Sequence, residues 1–168
     1  MAITMYSASV PGMLKTLGNM LVWLDKAQAH ADARKFDSKN YLQLRLAPDM
    51  LPFVKQVQIA CDTAKGCARR LAAVEAPVHD DSEHSFDELR RRIRETIAFV
   101  ESVPAERIVG SEERAIEIPA RNREPRKFNG ESYLRHFALP NFYFHATTTY
   151  ALLRHAGVEL SKTDFLGV

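Results

Sequence analysis

The stretch FALPNFYFHATTTYALLRHAG, Phe137 to Gly157, decides the fold of this chain of 168 residues. Its apolar residues recur every three or four positions, which is the spacing of one helix face. His145 falls in the middle of that face, so we expect it to point into the core. Leu139-Pro140 predicts a kink or a restart of the helix, because proline restricts the residue before it and lacks an N–H. Gly157 is placed to end the helix.

Three further amphipathic segments precede this stretch, so the pattern predicts four helices that share one core. The connection between the first two, residues 32–48, is long for a helix connection, and its apolar side chains are expected to pack against the body. Each helix has a recognisable start signal. We expect the first helix over Ser9–Ala31, the second from a cap at Asp49 with Pro52 in its first turn, and the third from the capping box Ser85–Glu88 to about Val103.

Two segments next to the last helix depart from the helical pattern. Ala115–Ile118 alternates with period two, and Arg126–Phe128 is placed to pair with it across Ala120–Pro125. We expect a small β-hairpin that packs on the helices or on another chain, because two strands alone are marginal. The tail, residues 158–168, is predicted to be irregular. Its expected anchors are Phe165 and Leu166.

The composition indicates an ordinary globular protein without a nucleic-acid or membrane partner. The net charge is +2, a balance too weak to indicate binding to either polyanion. The densest basic run, Arg90–Arg94, is expected to be a solvated, ion-paired helix face, because it lacks the aromatic residues that stack on bases. The N-terminus does not resemble a signal peptide, and no apolar run is as long as a membrane span. Cys61 and Cys67 resemble buried thiols of a reducing compartment, so we expect a cytoplasmic protein.

Five polar residues lie on or beside helix faces that otherwise resemble core. Polar groups near a core need partners or water. These side chains therefore either cross-link the backbone around them or face an internal pocket. The pocket candidates are Gln56, Gln58, Asp62, His145 and Thr149.

Two stretches carry a resemblance to a known family: LAPDMLPFVKQVQIACDTAK, residues 46–65, and the segment from Asn129 to Gly167. They resemble the hallmark segments of a bacterial family of unknown function that is grouped with the DinB/YfiT-like metalloenzymes. The resemblance covers essentially the whole chain, 1–168, as a single domain. It implies an all-α, DinB-like four-helix bundle in up-down-down-up order, with the β-hairpin inserted before the last helix. It also implies a homodimer.

The resemblance further implies where a metal would sit. Members of the wider superfamily hold a divalent ion with three histidines, one from the second helix and two in an H-x-x-x-H spacing in the last. His145 matches the first histidine of the last helix, but Thr149 stands four residues on. Gln56 or Gln58 occupies the second-helix position. Glutamine and threonine are weak ligands for zinc or nickel compared with imidazole.

The sequence therefore predicts a degenerate metal site and no bound metal, and it leaves open whether the protein is an enzyme. One hypothesis is an internal pocket for a small-molecule ligand, or a dimeric scaffold without one. The alternative is a metal-dependent hydrolase or thiol transferase in which His145 binds zinc or nickel. A third reading is structural, with His145 as a core histidine that is hydrogen-bonded to a glutamine or threonine.

Overall fold

The computed structural model describes residues 2–120 and 123–168, and most of them are helical. A 3-10 helix, Ser38–Gln43, follows the first helix, and a two-stranded hairpin precedes the last helices, as predicted. None of the described helices combines the length and the apolar character that crossing a membrane requires. In chain order the elements are α1 (Val10–Arg34), α2 (Phe53–Ala72), α3 (Phe86–Ser102), α4 (Ala105–Ile108), β1 (Ile116–Ala120), β2 (Arg123–Phe128), α5 (Gly130–Tyr133), α6 (Leu139–His155) and α7 (Lys162–Leu166).

The helix α2 lies at the centre of the core and packs against both α3 and α6. It is buried on several sides because its middle is built from small residues, which let neighbouring helices approach closely. Cys61 and Cys67 belong to this set and are free, buried thiols, as the sequence predicted. Burial raises the pKa of each thiol to about 12, so neither is a nucleophile at neutral pH.

The start of α2 differs from the prediction. Asp49 does not cap the helix, and Pro52 is its N-cap residue rather than part of the first turn. The reason is local, because a residue that precedes proline avoids the helical region and so Leu51 cannot begin the helix. The α3 start is as predicted: Ser85 Oγ accepts a hydrogen bond of 3.2 Å from the backbone N–H of Glu88.

The α-helix restarts at Leu139, as predicted, although the helical path runs on from α5 into α6. The five residues Leu134–Ala138 form a π-helical turn, which has one more residue per turn than an α-helix. This wider turn accommodates Pro140, which has no N–H to donate to the preceding turn. The proline thus changes the type of helical turn and not the continuity of the helix.

The predicted hairpin is confirmed, but its strands are longer than expected. Ile116 pairs with Phe128 and Ala120 pairs with Arg123, so part of the predicted connection Ala120–Pro125 is strand. Residues 121 and 122, which the prediction placed in that connection, lie outside the described residues. The base of the hairpin packs on the helices through Phe128, whose ring lies 6.1 Å from the Tyr133 ring.

The tail was predicted to be irregular, and this prediction is wrong, because it contains α7. Ser161 and Asp164 form a capping box that starts the helix. Phe165 is an anchor as expected, stacked on Trp23 with ring centroids 5.5 Å apart. Leu166 is not, since 46% of it is exposed. The indole N–H of Trp23 also donates to the Asp164 carbonyl, at 3.0 Å, so α7 is fixed on α1.

Candidate functional site

His145 lies on the core-facing side of α6, as predicted, and only 8% of it is exposed. Its Nδ1 is 2.7 Å from Oε1 of Gln56 on α2. The Gln56 amide is fixed at its other end, because its Nε2 donates to the Leu51 carbonyl at 2.8 Å. Leu51 lies in the loop that precedes α2, so the loop, α2 and α6 meet at this pair.

These contacts determine the protonation state of His145. Since Gln56 Nε2 is the donor to Leu51, Oε1 faces the ring, and His145 Nδ1 must carry the proton of this hydrogen bond. Burial lowers the pKa of His145 below its ordinary value of 6.5, so the ring is neutral at pH 7. Its Nε2 is therefore an acceptor, and it bonds to no other group in the described part of the chain.

The groups around His145 do not fit a zinc or nickel ion. Thr149 lies one turn further along α6, but its hydroxyl donates back to the His145 carbonyl at 2.9 Å. The Gln56 oxygen is already used by Nδ1. Across residues 2–120 and 123–168, no three His, Cys, Asp or Glu side chains come together as metal ligands. The imidazole has the hydrogen-bonded orientation that metal-bound histidines adopt, but it has no ligand partners.

The other two candidates, Gln58 and Asp62, lie on the opposite side of α2 and do not join His145. Gln58 donates to Oε2 of Glu83 at 2.5 Å. Asp62 accepts from Arg92 of α3 at 2.9 Å. The sequence left open whether these five candidates face one internal pocket or cross-link their surroundings, and the structure divides them between two regions. The physical reason is helical phase, because residues 56 and 58 are about 200° apart around an α-helix.

Arg92 is the centre of that second region, which we call the Arg92 cluster: Arg92, Asp62, Asp81, Glu83 and Gln58. Only 2% of Arg92 is exposed, so the predicted solvated arginine face is wrong for this residue. The same prediction expected these arginines to be ion-paired, and for Arg92 this is confirmed. Its guanidinium lies 2.9 Å from Asp62, 2.9 Å from Glu83 and 3.1 Å from Asp81. A buried cation is tolerated because each of these carboxylates neutralises part of its charge.

The electrostatics of the Arg92 cluster follow from these pairs. Burial by itself would lower the pKa of Arg92, but the Glu83 and Asp62 carboxylates outweigh it and raise the pKa. Burial would raise the pKa of Asp81, but Lys55 and Arg92 outweigh it and lower the pKa. Both groups therefore stay charged, and the cluster holds the segment before α3 against α2.

His79 extends the Arg92 cluster and was missed by the sequence reasoning. Its Nδ1 lies 3.2 Å from Nζ of Lys65, and burial together with Lys65 and Arg92 lowers its pKa.

A signal for the Arg92 cluster was present in the sequence. Arg92 lies three residues after Leu89 and one before Ile93, which places it on the buried face of α3.

The remaining histidines form no site with His145. His136 and His155 are exposed. His30 is half-buried, and its Nδ1 lies 2.5 Å from the Tyr41 hydroxyl. The Gln56–His145 pair is the candidate site, since the ring is fixed between α2 and α6 and its Nε2 makes no hydrogen bond within the described part of the chain.

Comparisons with known proteins agree with the resemblance. A family profile described as domain of unknown function (DUF1993) matches residues 5–166. The chain is also similar to a crystal structure of a DinB family member protein from Shewanella denitrificans, with 39% identity and a TM-score of 0.88. That similarity covers 97% of this chain and 92% of the other. No curated protein matches. The chain therefore belongs to the DUF1993 family, a domain of unknown function with a DinB-family structural neighbour.

Proposed function

We propose that this protein is a DinB-like relative that binds a small-molecule ligand through His145 and uses no metal. The ligand donates a hydrogen bond to His145 Nε2, and Gln56 holds the ring in the tautomer that accepts it. The observation that carries this proposal is the Gln56–His145 hydrogen bond of 2.7 Å. It supports ligand binding because it leaves a neutral, oriented acceptor without a protein partner.

Apolar side chains around this pair support an aromatic or aliphatic ligand. The Phe144 ring meets the His145 ring edge-on, with centroids 5.1 Å apart, and 55% of Phe144 is exposed. Leu51, whose carbonyl holds Gln56, is 47% exposed. Binding sites for small molecules combine such apolar walls with a few fixed polar groups.

We further propose that the protein is a cytoplasmic homodimer whose four long helices, α1, α2, α3 and α6, run up-down-down-up. The exposed Phe144 and Leu51 support a second copy as the partner, since large apolar side chains in the open indicate an interaction surface. The free cysteines support a reducing compartment. Sedimentation at micromolar concentration should give a dimer that Phe144→Ser weakens, and a monomer would contradict this proposal.

The ligand proposal is tested with phenol, an aromatic O–H donor, against anisole, which has the same ring and no donor. In protein with ¹⁵N-labelled histidine, we expect phenol to shift the His145 Nε2 resonance and anisole to leave it unchanged. His145→Phe should abolish phenol binding, and His155→Phe, at an exposed position of α6, should not. Equal effects of phenol and anisole would contradict the acceptor role.

Metal analysis tests the other half of the proposal. Untagged protein purified without chelator should contain no stoichiometric divalent ion. A stoichiometric ion that is lost in His145→Ala but kept in His155→Ala would overturn the metal-free proposal. It would favour the metal-dependent hydrolase or thiol transferase instead.

A further inference from the structure

Arg70, near the C-terminal end of α2, is held in a fixed position that no ion pair explains. Its Nη1 donates to the Tyr133 hydroxyl at 3.3 Å, and its guanidinium carbon lies 5.8 Å from the centre of the Tyr133 ring. The side chain folds back across Gly66, where an added Cβ would overlap Nη1. Glycine at position 66 therefore makes the space in which this guanidinium lies.

No carboxylate neutralises this arginine. Within residues 2–120 and 123–168, neither Arg70 nor its neighbour Arg69 has an acidic side chain within salt-bridge distance, whereas Arg90, Arg92 and Arg135 each have at least one. The Nε of Arg70 is also buried without an acceptor. Packing therefore positions this guanidinium, and no counter-charge occupies it. The forked N–H groups of such an arginine are suited to bind a carboxylate or a phosphate.

Arg70 lines two clefts, with volumes of about 340 and 370 Å³. Both are lined by Arg69, Arg70 and Glu75. Lys65 adds a further positive charge to the second cleft, although Asp62 pairs with it at 3.1 Å. Each volume lies in the range of small-molecule sites, about 300–1,000 Å³. Acidic side chains also line the clefts: Glu75, which is exposed, lines both, Glu117 lines the first and Asp62 the second, so a bound anion must approach Arg70 away from them.

We propose that these clefts form an oxyanion-binding site in which Arg70 is the central ligand and Arg69 the second cation. The ligand carries a carboxylate or a phosphate group, which accepts hydrogen bonds from the free edge of the Arg70 guanidinium. The site is separate from His145, because Arg70 follows Gln56 by 14 residues on α2, about 21 Å at a rise of 1.5 Å per residue. It does not depend on the function proposed above.

Inorganic phosphate and acetate are the probes, titrated against full-length protein while the arginine Nε–Hε resonances are followed by NMR. We expect saturable shifts of the Arg70 signal at constant ionic strength with one or both anions. Phosphate alone would identify a phosphate-bearing ligand, and acetate alone a carboxylate. No saturable shift with either anion would overturn the proposal.

Three variants distinguish anion binding at Arg70 from nonspecific attraction of anions to positive surface charge. Arg70→Gln should weaken binding at least about tenfold, the factor that corresponds to about 1.4 kcal/mol. Arg94→Gln, an exposed arginine on α3, should leave the affinity unchanged. Gly66→Ala retains the charge but displaces the guanidinium, so it should also weaken binding and covers the case in which Arg70→Gln does not fold. If Gly66→Ala and Arg94→Gln weakened anion binding equally, a specific site at Arg70 would be contradicted.

Discussion

Gln56 and Gln58 are two residues apart on α2, but they lie in different kinds of surroundings. Gln56 faces α6 and holds a neutral imidazole whose second nitrogen has no protein partner among the described residues. Gln58 faces α3 and joins the Arg92 cluster, in which the buried cation is matched by three carboxylates. The difference shows that buried polarity has two uses here. The charge-matched network around Arg92 fixes the structure, although Arg92 Nε and Gln58 Oε1 are buried without partners. The Gln56–His145 pair leaves one ring nitrogen free to bind.

Removing Arg92, the centre of this charge-matched network, should have the largest effect on stability. Arg92→Leu leaves Glu83 buried without its counter-charge, and breaking a buried pair costs about 3–5 kcal/mol. We expect a loss of that size in the free energy of unfolding, measured by urea denaturation. Arg91→Leu, at an exposed neighbouring position, is the control and should change it by less than about 0.5 kcal/mol. Equal effects of the two variants would mean that the cluster is not a structural unit.

Removing Gln56, which holds the His145 ring, should lower the free energy of unfolding by less than Arg92→Leu does. Gln56→Ala leaves the His145 Nδ1–H and the Leu51 carbonyl without partners, which corresponds to about 1–3 kcal/mol. The same denaturation experiment measures this loss, with Gln43→Ala, an exposed glutamine, as the control. The NMR signature should change as well, because Gln56 no longer selects the tautomer. An unchanged tautomer would show that another group fixes the ring.

Burial of His145 in the Gln56–His145 pair should also make the stability of the fold depend on pH. Burial places the pKa of folded His145 below the ordinary value of 6.5, so between these values the unfolded chain binds more protons than the folded one. Stability should therefore be complete above about pH 7 and fall as the pH drops below the unfolded value of about 6.5.

His145→Gln tests this origin, because it removes the titrating group and should flatten the pH dependence. His79, whose pKa is also lowered, titrates in the same direction and remains in that variant. The contribution of His79 is isolated by His79→Gln, and His155→Gln serves as the exposed control. A pH dependence that survives in the double variant His145→Gln/His79→Gln would have to originate elsewhere.

Removing an exposed ion pair should have the smallest effect on stability. Lys26 and Asp164 are 2.5 Å apart at the surface, where α7 meets α1. Lys26 and the Ser161 contacts lower the pKa of Asp164 to about 2. Lys26→Gln removes the pair and keeps the capping box, so it should cost less than about 1 kcal/mol and lose its effect in high salt. A loss comparable to that of Arg92→Leu would remove the distinction between buried and exposed charges.

The sequence predicts the parts of the fold that depend on periodicity. The face of α6 that carries His145, the capped start of α3 and the alternation around Ile116 all follow from local spacing, and all are found. Its errors concern residues whose roles depend on distant contacts. Helical phase places Arg92 on the buried face of α3, but only the contact with Glu83, from a loop with no periodic signal, shows why a charge is tolerated there.

The same limit applies to the candidate site. The hypothesis that a glutamine or threonine holds His145 names the correct partner types, but periodicity alone could not choose between Gln56 and Gln58. The phase of α2 separates them only once the positions of α3 and α6 are known. The α7 capping box was readable as S-x-x-D, but its helix is five residues long and exists because Trp23 and Asn19 hold it.

The π-helical turn Leu134–Ala138 is in effect a one-residue insertion in an otherwise regular helix. Deleting one residue from it, for example Arg135, would restore α-helical geometry and rotate everything that follows by about 100° relative to α5. Either His145 would then leave Gln56, or the hairpin anchor at Tyr133 would leave Phe128. A one-residue gap at this place in an alignment of relatives would therefore mark the loss of one of these two contacts, even in chains that keep both His145 and Tyr133.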